Sequence, residues 1–201
     1  MTLRDLLHQG APIDAIAAHL DPLDHAGRIA ALGTLASADF ERLYKAASGQ
    51  HVDLDFYVPP STPPNASVEH VGLNSMPLFR TVDKRFVRTE AGDLQGYNHL
   101  ANPVASAFSG PGYFTVQARS APCPDGRTDT QQLFVNYYRV PAGLPHADWP
   151  QVRNNEGFPG SLVYGRMCDY MWRVSQHVSI GEAWRAGKTL RTWFAISRRD
   201  T

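Results

Sequence analysis

The chain has 201 residues, 43% of them hydrophobic, which suits one domain with a sizeable core and argues against a disordered protein. Lysine plus arginine and aspartate plus glutamate each number 19, so the formal charge is zero and neither nucleic acid nor an anionic membrane is the expected partner. Residues Met1 to Leu7 include Asp5 and lack the apolar core of a secretory signal, and no run nears the ~20 apolar residues of a membrane span, so the expected location is the cytoplasm.

Residues 1–50 read as a helical segment. Thr2 starts a short turn that Gly10 ends, and Pro12 opens a second helix with Ile13, Ile16, Ala17 and Leu20 at helical spacing. Asp21-Pro22 opens a third, holding Leu23, Ala26, Ile29, Ala30 and Leu32. Ser37 caps a fourth with Phe40, Leu43, Tyr44 and Ala47 on one stripe. Such short one-faced helices are unstable alone and must bury their stripes elsewhere.

Residues 51–76 form a connector. Val52 to Tyr57 could make one strand, while Val58-Pro59-Pro60-Ser61-Thr62-Pro63-Pro64 excludes regular structure and reads as a stiff spacer. Residues 77–201 then form an antiparallel β domain. Strands are predicted at Leu78–Thr89, Leu94–Leu100, Tyr113–Arg119 and Gln131–Val140, separated by turns such as Gly110-Pro111-Gly112. In the third, Phe114, Val116 and Ala118 alternate with Tyr113, Thr115 and Gln117, the mark of a strand with two unlike faces. Tyr164 to Val178 fits helix and strand equally well. Ile180–Trp184, the turn Arg185-Ala186-Gly187-Lys188 and Leu190–Ser197 make a terminal hairpin. The fold class is therefore α+β: a mostly antiparallel barrel or half-barrel behind an N-terminal helical segment.

Lys84-Arg85-Phe86, Tyr164, Asp169, Arg173-Val174, Val178, Gly181 and the pair Trp193-Phe194 resemble the pattern of small lipocalin-like (calycin-type) barrels from bacteria, over the C-terminal two-thirds of the chain. The chain departs from that pattern in carrying Pro77-Leu78-Phe79-Arg80 where a G-x-W is expected. The resemblance implies a barrel around a partly vacant cavity and leaves the ligand unnamed.

Chemical motifs are sparse. There is no G-x-S-x-G, Walker loop or H-E-x-x-H, and the eight histidines stand apart, so neither a metal nor a cofactor is expected. Cys123 and Cys168 lack metal or redox spacing and read as free thiols. Polar residues among aromatic ones supply the ligand-binding candidates: Arg80, Lys84, Tyr113, Asn136, Tyr138, Trp184 and Trp193. The acid–base candidates are His99 with Tyr97, and His177 with Asp169 or Glu182 as orienting group.

Two functions follow. The first is a cytoplasmic barrel that binds an apolar or amphiphilic small molecule. The alternative is a cofactor-independent isomerase, cyclase or hydrolase using a His/Tyr acid–base pair in the cavity. A third reading makes the N-terminal helices a docking surface, and the sequence leaves homo-oligomerisation open.

Overall fold

The computed structural model describes residues 1–77, 80–102, 107–118, 121, 124–126 and 131–200. Eight antiparallel strands follow one another around a closed barrel: β1 (Val68–Asn74), β2 (Thr81–Arg88), β3 (Leu94–Asn98), β4 (Phe114–Gln117), β5 (Leu133–Asn136), β6 (Met167–Arg173), β7 (Val178–Arg185) and β8 (Lys188–Arg198). Closure comes from β8 pairing with β1, Gly72 facing Ile196, so no strand edge is left open. This is the α+β barrel that the alternation predicts. Leu78, Phe79, Arg119 and Cys123 lie outside the described residues.

Four helices precede the barrel: α1 (Leu3–His8), α2 (Ile13–Leu20), α3 (His25–Gly33) and α4 (Ser37–Ala46). Thr2 and Asp5 cap α1 reciprocally, and the Asp24 carboxylate accepts from the Gly27 amide at the start of α3. For α4 the cap position is Ala36 rather than Ser37, and the Asp39 carboxylate takes the Ala36 amide instead. The helices do not stand apart. Leu3, Ile16, Leu20, Leu32, Phe40 and Leu43 share one core with Trp172, Val178, Ile180 and Ala195, which face outward from the barrel. A helical layer therefore sheathes the β7–β8–β1 wall, and α3 is locked down by a fully buried Arg28 that donates to the Ser197 hydroxyl at 2.8 Å and pairs with Asp200.

The stretch 51–76 differs from a plain connector in two ways. Val52 to Tyr57 holds a single helical turn, α5 (Leu54–Tyr57), because the Asp53 carboxylate accepts from the Phe56 amide and caps it. The first barrel strand, β1, begins at Val68 and lies wholly inside this stretch. Its inward positions Val68, His70, Gly72 and Asn74 mix apolar, polar and small residues, which hid the strand from a hydrophobic-alternation reading. The ambiguous stretch after Tyr164 resolves as strand: β6 and β7 pair across a turn at 174–177. The β7–β8 turn puts Ala186 and Gly187 at φ +50° and +77°, the left-handed pair that a two-residue hairpin requires.

Strand direction sorts the connections into two ends. Strands β1 and β2, β3 and β4, β5 and β6, and β7 and β8 are joined at one end, called here the loop end, where 99–102, 107–113 and 137–166 lie. At the other end α5 is a plug. The carbonyls at the end of this single turn, which have no helical partner, are met by inward-pointing donors of three adjacent strands. Arg198 donates to Phe56, His70 Nε2 to Tyr57 at 2.9 Å, and Arg88 to Val58 at 2.7 Å.

Candidate functional site

Pairing registers fix which side chains point into the barrel. Val82, Lys84 and Phe86 of β2 face inward with Gly96 and Asn98 of β3, Phe114 and Val116 of β4, Leu133 and Val135 of β5, and Asp169 and Met171 of β6. Aromatic rings run down the axis in contact: Tyr57 on Phe86 at 4.8 Å, Phe86 to Phe114 at 5.3 Å, Phe114 to Tyr137 at 5.5 Å, and Tyr137 to Tyr164 at 5.7 Å. Glycines make room for this column. A Cβ at Gly96 would sit 2.5 Å from the Phe114 ring, and one at Gly181 would sit 2.6 Å from Phe194. The barrel interior is thus filled with rings where the sequence led us to expect a vacancy, because two small inward positions, Gly96 and Gly181, let large side chains cross the lumen.

One polar group interrupts the column. Lys84 is 3% and Asp169 2% exposed, and Lys84 Nζ lies 3.1 Å from the Asp169 carboxylate. The same nitrogen donates to the Asn98 side-chain Oδ1 at 2.9 Å and to the Tyr137 hydroxyl at 2.5 Å, while Tyr137 gives its own proton to Asp169 at 3.1 Å. Asn98 completes the set by donating to the Gly112 carbonyl at 3.0 Å. Around the ammonium stand the rings of Phe194, Tyr137 and Phe114 at 4.9, 5.2 and 5.3 Å. Burial lowers the Lys84 ammonium's pKa and Asp169 pulls it back up, with burial the larger effect. The Tyr137 phenol is pushed well above its ordinary value by burial and by the neighbouring carboxylate. The set holds an amine, a carboxylate and a phenol in hydrogen-bond contact, the components of proton transfer at a polar bond.

This cluster lies toward the loop end, one ring below the surface. Tyr164 stacks on Tyr137 with the ring planes 13° apart and is itself 7% exposed. Burial raises its phenol to about 12, an effect opposed by its hydrogen bond with Ser109. Gly112, at φ +55°, accommodates that ring, since a Cβ there would meet it at 2.5 Å. Gly112 also lines a cleft of about 100 Å³ between segments 108–112 and 153–160, with Phe108 and Phe158 among its walls, 56% and 80% exposed. Asn155 secures the cleft floor by donating to the carbonyls of Tyr113 and Tyr137 at 2.7 and 2.8 Å.

The sequence-derived residues fall in several places. Lys84 is at the centre of the barrel. Arg80 lies at the start of β2 and donates to the Leu35 carbonyl at 3.0 Å, tying the barrel to the helices. Tyr113, Asn136, Trp184 and Trp193 point away from the lumen. Tyr113 donates to the Pro150 carbonyl at 2.6 Å, Asn136 accepts from the Tyr138 amide at 3.0 Å, Trp184 donates to Glu182 at 2.8 Å, and Trp193 packs under the helices. At Tyr113 and Asn136 the outward face is as buried as the inner one, and Trp184 and Trp193 are half-buried, so alternation alone could not say which face was the lumen. Tyr97 and His99 do meet, hydroxyl to Nδ1 at 3.2 Å, on the outer wall beside Trp149. His177 sits at the opposite end of the barrel, 3.4 Å from Arg198, and burial lowers its pKa. The two histidines are therefore not brought to one site.

Missing from the sequence-derived set are Tyr137, Asn98 and, in this role, Asp169 and Tyr164. A readable signal existed for Asp169: it stands between Met167 and Met171 on an inward face, as Lys84 stands between Val82 and Phe86, two opposite charges each on an apolar stripe. Among the described residues no three histidine, cysteine, aspartate or glutamate side chains gather as a metal site needs, and no helix is long and apolar enough to cross a membrane. Comparison with protein-family models, curated proteins and solved structures finds no match to this chain.

Proposed function

We propose that the protein is a small-molecule-binding barrel that takes an apolar or amphiphilic ligand at its loop end. The observation that carries this reading is the Lys84–Asp169–Tyr137–Asn98 cluster, set in aromatic walls and joined to a surface cleft through Gly112, which lines the cleft and whose carbonyl accepts from Asn98. Apolar walls with a few fixed polar groups are the usual makeup of a ligand site. The cleft itself, at about 100 Å³, is smaller than the several hundred Å³ of ordinary pockets. The ligand is accordingly small, or gains depth as Tyr164 swings aside. Exposed Phe108 and Phe158 offer its apolar part a first contact.

Titration with 1-anilinonaphthalene-8-sulfonate tests the reading. Saturable binding at one site per chain is expected, weakened roughly thirtyfold when Phe108 and Phe158 are both changed to alanine, since each ring contributes on the order of 1 kcal/mol of contact. Fluorescence that fails to saturate, or that is unchanged in the double variant, overturns it.

A further inference from the structure

We infer that Lys84 is a carbonyl-capturing amine, which joins a small aldehyde or ketone as an imine inside the barrel; this rests on the binding reading above. Three observations point to the class of ligand. Lys45, Lys84 and Lys188 are the only lysines among the 19 lysine and arginine side chains, and the basic group that meets Asp169 in mid-lumen is an amine, whereas the inward-pointing guanidiniums of Arg88 and Arg198 lie at the plugged end on backbone carbonyls. A guanidinium would serve an ion pair as well or better, whereas only the amine can form a carbon–nitrogen double bond.

The second observation is charge balance. Lys84 and Asp169 neutralise each other in a closed apolar space. An anionic ligand on Lys84 would strand the Asp169 charge, and a cationic one on Asp169 would strand Lys84, each at several kcal/mol. A neutral carbonyl compound adds no charge, and the protonated imine that it forms keeps one positive charge beside Asp169. The third is the hydrogen-bonded phenol. Tyr137 touches both Lys84 Nζ and Asp169, where it can hand a proton to the carbonyl oxygen.

The step balances. Asp169 takes a proton from the ammonium, the free amine attacks the carbonyl carbon, and Tyr137 protonates the oxygen to give a carbinolamine. Water then leaves with the former carbonyl oxygen, the C=N bond forms, and the proton on Asp169 returns to neutralise the phenolate. Amine plus carbonyl compound gives imine plus water, with no oxidant or reductant. The rings of Phe114 and Phe194 beside the nitrogen suit a flat ligand.

The test is competitive labelling of the wild-type chain with benzaldehyde and sodium cyanoborohydride, read by peptide mass mapping at all three lysines. In the folded protein Lys84 is expected to gain its N-benzyl group at least tenfold faster than the exposed Lys45 and Lys188, and in urea all three are expected to label alike. Changing Tyr137 to phenylalanine should slow Lys84 tenfold or more and leave the other two unchanged. Folded-state labelling that is slowest at Lys84 overturns the inference. If the naphthalene probe still binds saturably in that case, the binding reading stands without the imine; if the probe fails while Lys84 labels fastest, the reverse holds.

Discussion

Lys84 and Asp169 reach each other from opposite walls of the barrel: β2 and β6 stand four strands apart in the closed ring of eight, and ammonium and carboxylate meet at 3.1 Å. Such a cross-bar is costly to form and far costlier to break on one side. Changing Asp169 to alanine strands a buried ammonium and is expected to destabilise the fold by about 3–5 kcal/mol. The double change K84M/D169L should recover most of that loss. Urea denaturation of the two variants checks this, and an Asp169 variant within 1 kcal/mol of wild type would remove the pair from the stability argument.

Gly96 carries a prediction about packing. An added methyl group meets the Arg85 carbonyl oxygen at 2.3 Å and the Phe114 ring at 2.5 Å, so Gly96→Ala should cost about 1–3 kcal/mol through overpacking, of which only the ring's part can be relieved by a smaller side chain at 114. Combining it with Phe114→Leu should cost less than the two changes summed, because the smaller side chain vacates the contested space. Strict additivity in thermal or urea unfolding would contradict the glycine's role.

His70 ties stability to pH. Burial pushes its imidazole down to about 3 from an ordinary 6.5, while Nε2 donates to the Tyr57 carbonyl and Nδ1 has no hydrogen-bond partner among the described residues. The unfolded chain then binds the extra proton between those values. The stability from keeping this histidine neutral is complete above pH 6.5 and is lost as pH falls toward 3, at up to about 1.4 kcal/mol per pH unit. His70→Gln keeps a donor and should flatten the slope of unfolding free energy between pH 6.5 and 4. An unaltered slope would assign the acid sensitivity to other groups.

The helical layer makes its own prediction. Phe40 is fully buried in the core shared by helices and barrel wall, so Phe40→Ala is expected to cost about 3–5 kcal/mol. Removing residues 1–48 uncovers Val178, Ile180 and Ala195 together and should leave an aggregating chain. A truncated barrel that stays monomeric and cooperative by ultracentrifugation and calorimetry would instead favour the helices as a docking device.

How much of this could be read beforehand depended on whether one physical signal had one meaning. Period two in Tyr113–Gln117 and the hairpin around Gly187 are local, and both gave the right element. The inward side of a strand is not local. Tyr113 and Phe114 are equally buried, one under Trp149 and one in the lumen, so alternation could not rank them. Lys84 could be found because a charge on an apolar stripe is conspicuous. Its partners could not be assembled, because 85 residues separate it from Asp169 and 53 from Tyr137. Only barrel closure brings those positions together. Strand β1 was hidden for a related reason: His70, Gly72 and Asn74 are inward residues chosen for hydrogen bonding and close approach, not for hydrophobicity.

Among the described residues α5 closes one end of the barrel, with Phe56 and Tyr57 seated there and held by Arg88, His70 and Arg198. On the binding reading proposed above, a guest that enters from the loop end has to depart the same way. Entry and exit then share one barrier. A substitution that merely eases the passage would quicken loading and unloading by the same factor and leave the dissociation constant where it was.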